Sequence, residues 1–573
     1  MRVRFILLPI ALLLGSCAAP RPTPASQTAP LQAATAQGFV IAANPLAARA
    51  GMEVLERGGS AVDAAIAVQA MLGLVEPQSS GIGGGAFMTY YDAASKQVLV
   101  YDGREVAPAQ ATPDMFLDSS GQPLPFEQAV LSGRATGVPG AVKMLALAHD
   151  EHGKLPWNSL FSSAERTADE GFIVSPRLAK LVVYPVPENG APDVIAYFHQ
   201  GPGGALVKAG DRLVNKSYAA FLRRLASQGP SALYGGETGA RILARTRAAP
   251  LAGSMTMTDL ANYKPVKREP LCAPYRVYMV CTPPPPGSGV GTLELLGLLA
   301  HTDIDRRSPN DPQAWYLFAE ASRLMYADRD RYVGDPAFTN VPAKGLLAPE
   351  YLAERAKLIG DTAGPPPAAG NPAMAPAMAA DHTYEPTGTS HFIIHDAAGN
   401  VVSMTTTVES LFGSGRMVDG FFLNNQMTDF SFSPVDAEGR PAANAVAAGK
   451  RPRSSMTPLL MLDGDRNFAG AFGSAGGNSI IVFVAKSMVA AIDWNLPTQE
   501  ALAAPNLVAR GANFNGEVTK FSPEMLAALK AKGIDLKPGQ GEDSGVHAVM
   551  IRNGQVDGGY DPRREGVVLL LGR

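Results

Sequence analysis

The segment from Pro386 to Glu409, PTGTSHFIIHDAAGNVVSMTTTVE, constrains the fold of this chain more than any other stretch. HFIIHD and VVSMTTTV are apolar, β-branched runs separated by Ala-Ala-Gly-Asn, the pattern of a hairpin with a short Gly-bearing connection. Thr389 would open its first strand. Upstream, DTAGPPPAAGNPAMAPAMAADH, residues 361–382, has no period on which to fold and reads as a flexible leader. A leader running into Gly388-Thr389 and then a buried strand is expected of a chain that cuts itself there and exposes an N-terminal threonine as nucleophile. The residue type has a chemical reason. A threonine hydroxyl is a poor nucleophile until a base takes its proton, and a free α-amino group on the same residue, with a pKa near ~8, can be that base.

Other blocks extend this reading. FFLNNQMTDFS, KRPRSSMTP and GSAGGNSII follow TSHFIIHDAAGNVVSMTTTVESLFGSG; VLERGGSAVDAAIAVQAMLGLVEPQSSGIGGGAFMTYYD, YDGREVAP, ATGVPGAV and REPLCAPYR precede it, and YDPRREG closes the chain. Together, and in this order, they resemble the γ-glutamyltranspeptidases of the N-terminal nucleophile hydrolase superfamily. The resemblance implies an α+β fold, a four-layer αββα sandwich, autoprocessed into a large subunit (38–388) and a small catalytic subunit (389–573) that stay together as a heterodimer. It implies cleavage between Gly388 and Thr389, then attack by Thr389 on the γ-glutamyl amide of glutathione or a similar compound. The acyl group would pass to water or to an amino acid or dipeptide acceptor, with no cofactor.

Residue roles follow by matching motifs. Thr407 would orient the Thr389 hydroxyl. Gly476 and Gly477, at the start of an apolar helix with Asn478 or Ser479 as N-cap, would offer backbone N–H groups to a developing oxyanion. Arg104, just past a strand, would hold the donor α-carboxylate, which a guanidinium fork fits in two-point fashion, and Ser454 and Ser455 would share it. Glu409, Gln426 and Asp429, with Asn425 in the same block, would receive the donor ammonium. Glu409 lies two residues beyond Thr407 and so on the same strand face. Some relatives carry Asn at that position, so this chain brings one more negative charge.

The remaining sequence sets boundaries. Arg2 and Arg4 precede FILLPIALLLG, an 11-residue apolar run too short to span a bilayer but suited to a signal peptide over residues 1–16. Leu14-Gly15-Ser16-Cys17 resembles a lipobox, which implies lipid on Cys17, a tether over 17–37, and an exported, periplasmic protein touching the membrane only through that lipid. Of the other two cysteines, Cys272 and Cys281 flank a hairpin-like APYRVYMV and either pair as a disulfide or stay as buried thiols. A net charge of -3 gives no nucleic-acid footprint.

AANPLAARAGMEVLERGG and AVDAAIAVQAMLGLV read as paired helices stopped by Gly58-Gly59. Gly81, Gly83 and Ala86 formally match G-x-G-x-x-A, but no strand precedes them, and close backbone packing is the expected use. Residues 132–360 read as mostly helical without a catalytic constellation, and CTPPPPGSGV as a structural turn. His382, His391 and His395 have no matching ligand cluster, so no metal is expected. No G-x-S-x-G elbow occurs. The rivals are a cephalosporin acylase of the same fold, acting on a glutaryl side chain, and a non-catalytic surface lipoprotein. The interval from Phe432 to Arg453 carries no further aromatic residue, so this loop is expected to be mobile or folded away from the cleft.

Overall fold

Strands Gly388–His395 and Val401–Glu409 pair antiparallel with Thr407 opposite Thr389, in a computed structural model that describes residues 38–381, 383–539 and 544–572. Asp396 closes the hairpin. One of its oxygens accepts the N–H groups of Ala398 and Asn400 at 2.9 and 3.0 Å. The other accepts the N–H of Ala61, 3.0 Å away, at the start of helix Ala61–Val75. A single carboxylate thus shapes the turn and sits at the positive end of the helix packed over it.

The hairpin is central in a seven-stranded antiparallel sheet. Phe39–Ala42 and then Val567–Leu570 extend it on one side; Gly85–Asp92, Gln97–Gly103 and Val266–Arg268 extend it on the other. A second, six-stranded sheet runs in the order Gln555–Tyr560, His547–Arg552, Phe468–Gly473, Leu459–Leu462, Tyr278–Thr282, Leu271–Tyr275. Alternation assigns the faces. Ile393 and Val401 join Leu460, Ala471 and Val549 in a core between the sheets, whereas Phe392 and Ile394 face helices Pro45–Glu56, Ala61–Val75 and Ala141–His152. Helices Gly289–Ala300, Pro312–Tyr332 and Ile480–Ile492 cover the second sheet. The result is the expected four-layer αββα sandwich. Every residue of Ala61–Val75 is buried, and its N-terminus is closed by a capping box between Ser60 and Asp63.

Register at the hairpin depends on one close approach. Gly84 precedes strand Gly85–Asp92, and a Cβ there would stand 1.9 Å from the Thr407 carbonyl oxygen. The glycines of SSGIGGG therefore serve backbone packing. Cys272 and Cys281 face each other across the Leu271–Tyr275/Tyr278–Thr282 hairpin with sulfurs 2.12 Å apart. His391 and His395 lie in the first sheet, His391 beside Thr405 and His395 stacked on Phe39. His382 is outside the described residues. Among the described residues no group of three or more His, Cys, Asp or Glu could hold a metal ion.

Three expectations need correction. The leader at 361–381 is irregular but not free: Gly370 N–H donates to Asp328 (2.6 Å), Arg355 donates to the Ala368 carbonyl (3.1 Å), and Arg331 donates to the Met378 carbonyl (2.9 Å). A tract without its own periodicity is thus held by side chains that sequence proximity does not reveal. The Asn478 and Ser479 side chains do not cap Ile480–Ile492, because a short 3-10 turn, Gly477–Ser479, leads into it and Ser479 is already in a helical conformation. The stretch 132–360, read as lacking site residues, contributes Arg329 to the site described below. The interval from Phe432 to Arg453 is anchored rather than free: Phe432 stacks on Phe116, Lys450 and Gly449 bond to the backbone of Ala107, and Asn444 donates to the Asp429 carbonyl at 2.6 Å.

Gly84→Ala is expected to cost at least ~1–3 kcal/mol of folding stability, measured by urea unfolding, because the added methyl collides with rigid sheet backbone. Wild-type stability in that variant would remove the close approach as a determinant of the register.

Candidate active site

Thr389 and Thr407 form a buried cross-strand pair at the mouth of the sheet. The Thr389 hydroxyl donates to Thr407 Oγ1 at 3.2 Å. Thr407 donates its own proton to the Gly388 carbonyl oxygen at 2.5 Å and accepts the Glu409 N–H at 2.8 Å. One hydroxyl therefore touches both the Thr389 hydroxyl and the carbonyl next to it in sequence. A bulge after Thr407 makes this possible: register shifts between Thr407 and Glu409, and Glu409 takes a positive φ of 84°. The Thr389 carbonyl accepts from Arg564 at 2.8 Å, which ties YDPRREG to the same strand.

Beyond the bulge lies a buried polar cluster. Arg104 donates to Asp429 through a short contact, to the Arg453 carbonyl at 2.6 Å and to the Pro452 carbonyl at 3.1 Å. Gln426 donates to Asp429 at 2.8 Å and, more closely, to Glu409. Burial, and then the neighbouring Asp429 carboxyl, pushes Glu409 well above the usual carboxylate range; burial also raises Asp429, against the pull of Arg104. Two buried carboxyls side by side resist ionising together, and both are shifted upward. Among the described residues, two buried acceptors of this cluster, Gln426 Oε1 and Asp429 Oδ1, have no hydrogen-bond partner, and Arg104 Nη1 makes no hydrogen bond but stands 3.6 Å from the buried Glu105 carboxyl. Unpaired groups of this kind are costly unless something pairs with them.

A third group lies on the other side of Thr389. Glu385, four residues upstream, is buried, and Ser455 Oγ donates to it at 2.5 Å. Arg329 donates to Glu385 at 2.7 Å and to Ser455 at 2.6 Å, and Arg453 stands 3.4 Å from Glu385. Burial alone would raise the Glu385 carboxyl, but Arg329 and Arg453 outweigh it and hold it down at about 2. Ser454 is fixed by its backbone, whose N–H donates to the Pro286 carbonyl at 2.9 Å, giving the proline-rich turn its structural use. Gly477 has φ 54°, and a Cβ on it would lie 2.3 Å from the carbonyl oxygens of Glu385 and Pro386. The segment before Thr389 therefore runs directly over the glycine pair.

Glu385 and Gly476 line a cleft of about 240 Å³ together with Pro386, Thr387, Ser410, Phe483, Phe126 and Tyr184. The structure brings together Thr389, Thr407, Gly388 and the Gly476–Gly477 turn, and separately Arg104, Glu409, Gln426 and Asp429. Ser455 meets Glu385 rather than Arg104 in the uncut chain. Cys17 lies outside the described residues. Sequence reasoning missed Glu385, Arg329 and Arg453. Arg453 sat within the KRPRSS block and could have been found there; Arg329 is one of several arginines on a long helix and gave no signal.

A family model described as gamma-glutamyltranspeptidase matches residues 47–571. The glutathione hydrolase proenzyme of Bacillus subtilis (strain 168) is 36% identical over 548 residues, covering 93% of this chain and 91% of that protein. That of Escherichia coli (strain K12) is 36% identical over 580 residues, covering 96% of each. Among solved structures, a cephalosporin acylase from Bacillus halodurans matches with a TM-score of 0.81 at 27% identity, covering 97% of this chain and 99% of that one.

The depressed Glu385 carboxyl has a consequence for stability. Its contribution is complete above the unfolded-state value near ~4.3 and is lost as pH falls from there toward about 2. In a Thr389→Ala chain, urea midpoints measured from pH 6 to pH 2 should fall less steeply below about pH 4.3 once Glu385 is changed to Gln. Identical slopes with and without Glu385 would show that the carboxyl is not held by the arginines.

Proposed function

Because the chain belongs to the γ-glutamyltranspeptidase family and has the N-terminal nucleophile hydrolase fold, we propose that it cuts its own Gly388–Thr389 bond and then cleaves γ-glutamyl amides. The observation that carries this reading is the Thr407 hydroxyl, 2.5 Å from the Gly388 carbonyl oxygen and 3.2 Å from the Thr389 hydroxyl. In the first reaction the Thr389 oxygen attacks the Gly388 carbonyl carbon. The proton that Thr407 donates supports the charge developing on the carbonyl oxygen. The C–N bond breaks, the amide becomes an ester on Thr389, and the nitrogen becomes a free α-amino group. Water then hydrolyses the ester and leaves Gly388 as a carboxylate. Large (38–388) and small (389–573) subunits result, interleaved in the same sheets.

The new α-amino group serves as base for the second reaction. It takes the Thr389 hydroxyl proton, the oxygen attacks the γ-carbonyl of glutathione or a similar donor, and the oxyanion is received at Gly476–Gly477. The leaving amine departs with the proton. Water converts the γ-glutamyl ester to glutamate, and an amino acid or dipeptide amine converts it to a new γ-glutamyl compound.

The orphaned atoms match the donor head group. Its ammonium would satisfy Asp429 Oδ1 and Gln426 Oε1 beside Glu409, and its carboxylate would satisfy Arg104 Nη1, with Ser454 and Ser455 as further donors. The α-amino and α-carboxylate groups share one carbon, and the direct Arg104–Asp429 contact sets their receivers equally close. A glutaryl group has no ammonium, so Glu409 and Asp429 disfavour the acylase alternative. A non-catalytic lipoprotein would have no use for the Thr389–Thr407 geometry. Export through residues 1–16, lipid on Cys17 and a tether over 17–37 complete the reading, and place the protein at the periplasmic face of a membrane.

Purified wild-type protein should separate into two chains, the smaller beginning at Thr389, whereas Thr389→Ala should remain one chain on a denaturing gel. Cleavage of Thr389→Ala at Gly388 in protease-free preparation would rule out self-processing.

Arg104→Lys should still mature but raise KM for a γ-glutamyl anilide by roughly 10- to 150-fold, the equivalent of ~1.5–3 kcal/mol for a charged hydrogen bond. Glutamate and γ-glutamylglycylglycine are quantified in the same assay with and without glycylglycine. An unchanged KM would remove Arg104 from donor recognition.

A further inference from the structure

We infer that Glu385 is the positioning residue for self-cleavage: its clamped carboxylate fixes the segment before the scissile bond so that the Gly388 carbonyl stays between Thr389 and Thr407. The inference rests on the reading that Thr389 cuts its own chain, and adds to it a residue that the chemistry itself does not use.

Unaided, a Pro- and Gly-rich coil would not hold the Gly388 carbonyl in one place. Residues 386–388 are Pro-Thr-Gly, and nothing in their sequence favours one conformation of the Gly388 carbonyl over others. A reaction between neighbouring groups needs them held close to attack geometry, and a loose segment loses rate in proportion to the time spent elsewhere. Glu385 supplies the missing restraint at both its side chain and its backbone. Its carboxylate is held by Ser455 at 2.5 Å, Arg329 at 2.7 Å and Arg453 at 3.4 Å, and its carbonyl accepts the Asn478 N–H at 3.4 Å. These partners come from helix Pro312–Tyr332, from the segment following the 432–453 loop, and from the turn before helix Ile480–Ile492. Three elements distant in sequence therefore converge on one residue. Between it and Gly388 stand only Thr387 and Pro386, whose ring fixes φ. On the far side Gly388 is paired with Glu409, and its oxygen is held by Thr407. The scissile bond is thus strung between two fixed points.

The charge balance gives the anchor its direction. The buried Arg329 and Arg453, with the half-buried Arg510 at the edge, face Asp330, Asp381 and Glu385 in one network, so the positive and negative groups match only while Glu385 is in place. A buried ion pair gains little over apolar packing in stability, but it fixes location strongly because leaving strands charges without partners. The same contact keeps Ser455 engaged with a carboxylate until the chain is cut. Once Gly388 is freed, Glu385 is restrained from one side only.

The test uses the full chain made by cell-free synthesis. Loss of the uncleaved species is followed on denaturing gels, and the cut bond is identified from fragment masses. Glu385→Gln keeps the shape of the side chain and removes its charge; it should cut at the same bond roughly tenfold or more slowly than the parent. Glu385→Asp, which restores charge on a shorter arm, should recover part of that loss, and Ser455→Ala, which removes one contact from the opposite side, should slow cleavage by a smaller factor. In the uncleavable Thr389→Ala chain, Glu385→Gln should shift the melting temperature by only a few degrees, which separates positioning from general unfolding. Cleavage of Glu385→Gln at the parental rate, no advantage of Asp over Gln, or collapse of the fold in the Thr389→Ala background would each overturn the anchor. A parent chain that stays whole, or a Thr389→Ala chain that is cut, would instead defeat the self-cleavage reading beneath it.

Discussion

The Thr389–Thr407 pair depends on a close contact of backbones rather than on the two hydroxyls themselves. Strand Val401–Glu409 is pressed between the nucleophile's strand and the Gly85–Asp92 strand, and the glycine at 84 lets the Thr407 carbonyl approach where a side chain would block it. Hydrogen-bond geometry falls off steeply with distance and angle, so a displacement of a few tenths of an ångström would uncouple Thr407 from the Gly388 carbonyl. Burial of both sheets against helices makes that backbone stiff. The threonine pair is therefore held by a rigid centre, with the irregular upstream segment laid over it and tied down.

Charge distribution divides the site into two halves with different tasks. On one side, Arg104, Glu409, Gln426 and Asp429 form a cluster in which acids outnumber the one arginine, two buried acceptors lack a hydrogen bond, and Arg104 Nη1 has only the Glu105 carboxyl 3.6 Å away. In the proposed function that half receives a small zwitterionic head group. On the other side, Arg329, Arg453 and Ser455 already hold a carboxylate, and the carboxylate belongs to the chain. The low dielectric around both halves strengthens each contact and penalises each unpaired group. In the proposed function a ligand completes the first half, whereas the second is already filled by the chain's own carboxylate.

Much of the architecture was legible in the order of residues. Period-two runs around a Gly-bearing turn marked the hairpin, and Ala-rich helices stopped by Gly58-Gly59 marked the outer layer, because side-chain periodicity is a local property. Thr389, Thr407 and the Gly476–Gly477 turn were also visible, since each stands in a short motif whose neighbours fix its backbone. Glu385 was overlooked for the opposite reason. An acid in a proline-rich coil reads as solvated, and only long-range convergence of Arg329, Arg453 and Ser455 on it makes it buried.

The sequence by itself determined the strands, the placing of Thr389 at the start of one of them, and the glycine turns, because hydrophobic alternation and backbone permissiveness act over a few residues. Tertiary structure decided which arginine meets which carboxylate. Arg104 and Asp429 are 325 residues apart, and Ser455 and Glu385 are 70 apart. Charges attract at any sequence separation, so their pairing is set by where the two sheets bring their loops together, and no local pattern records it.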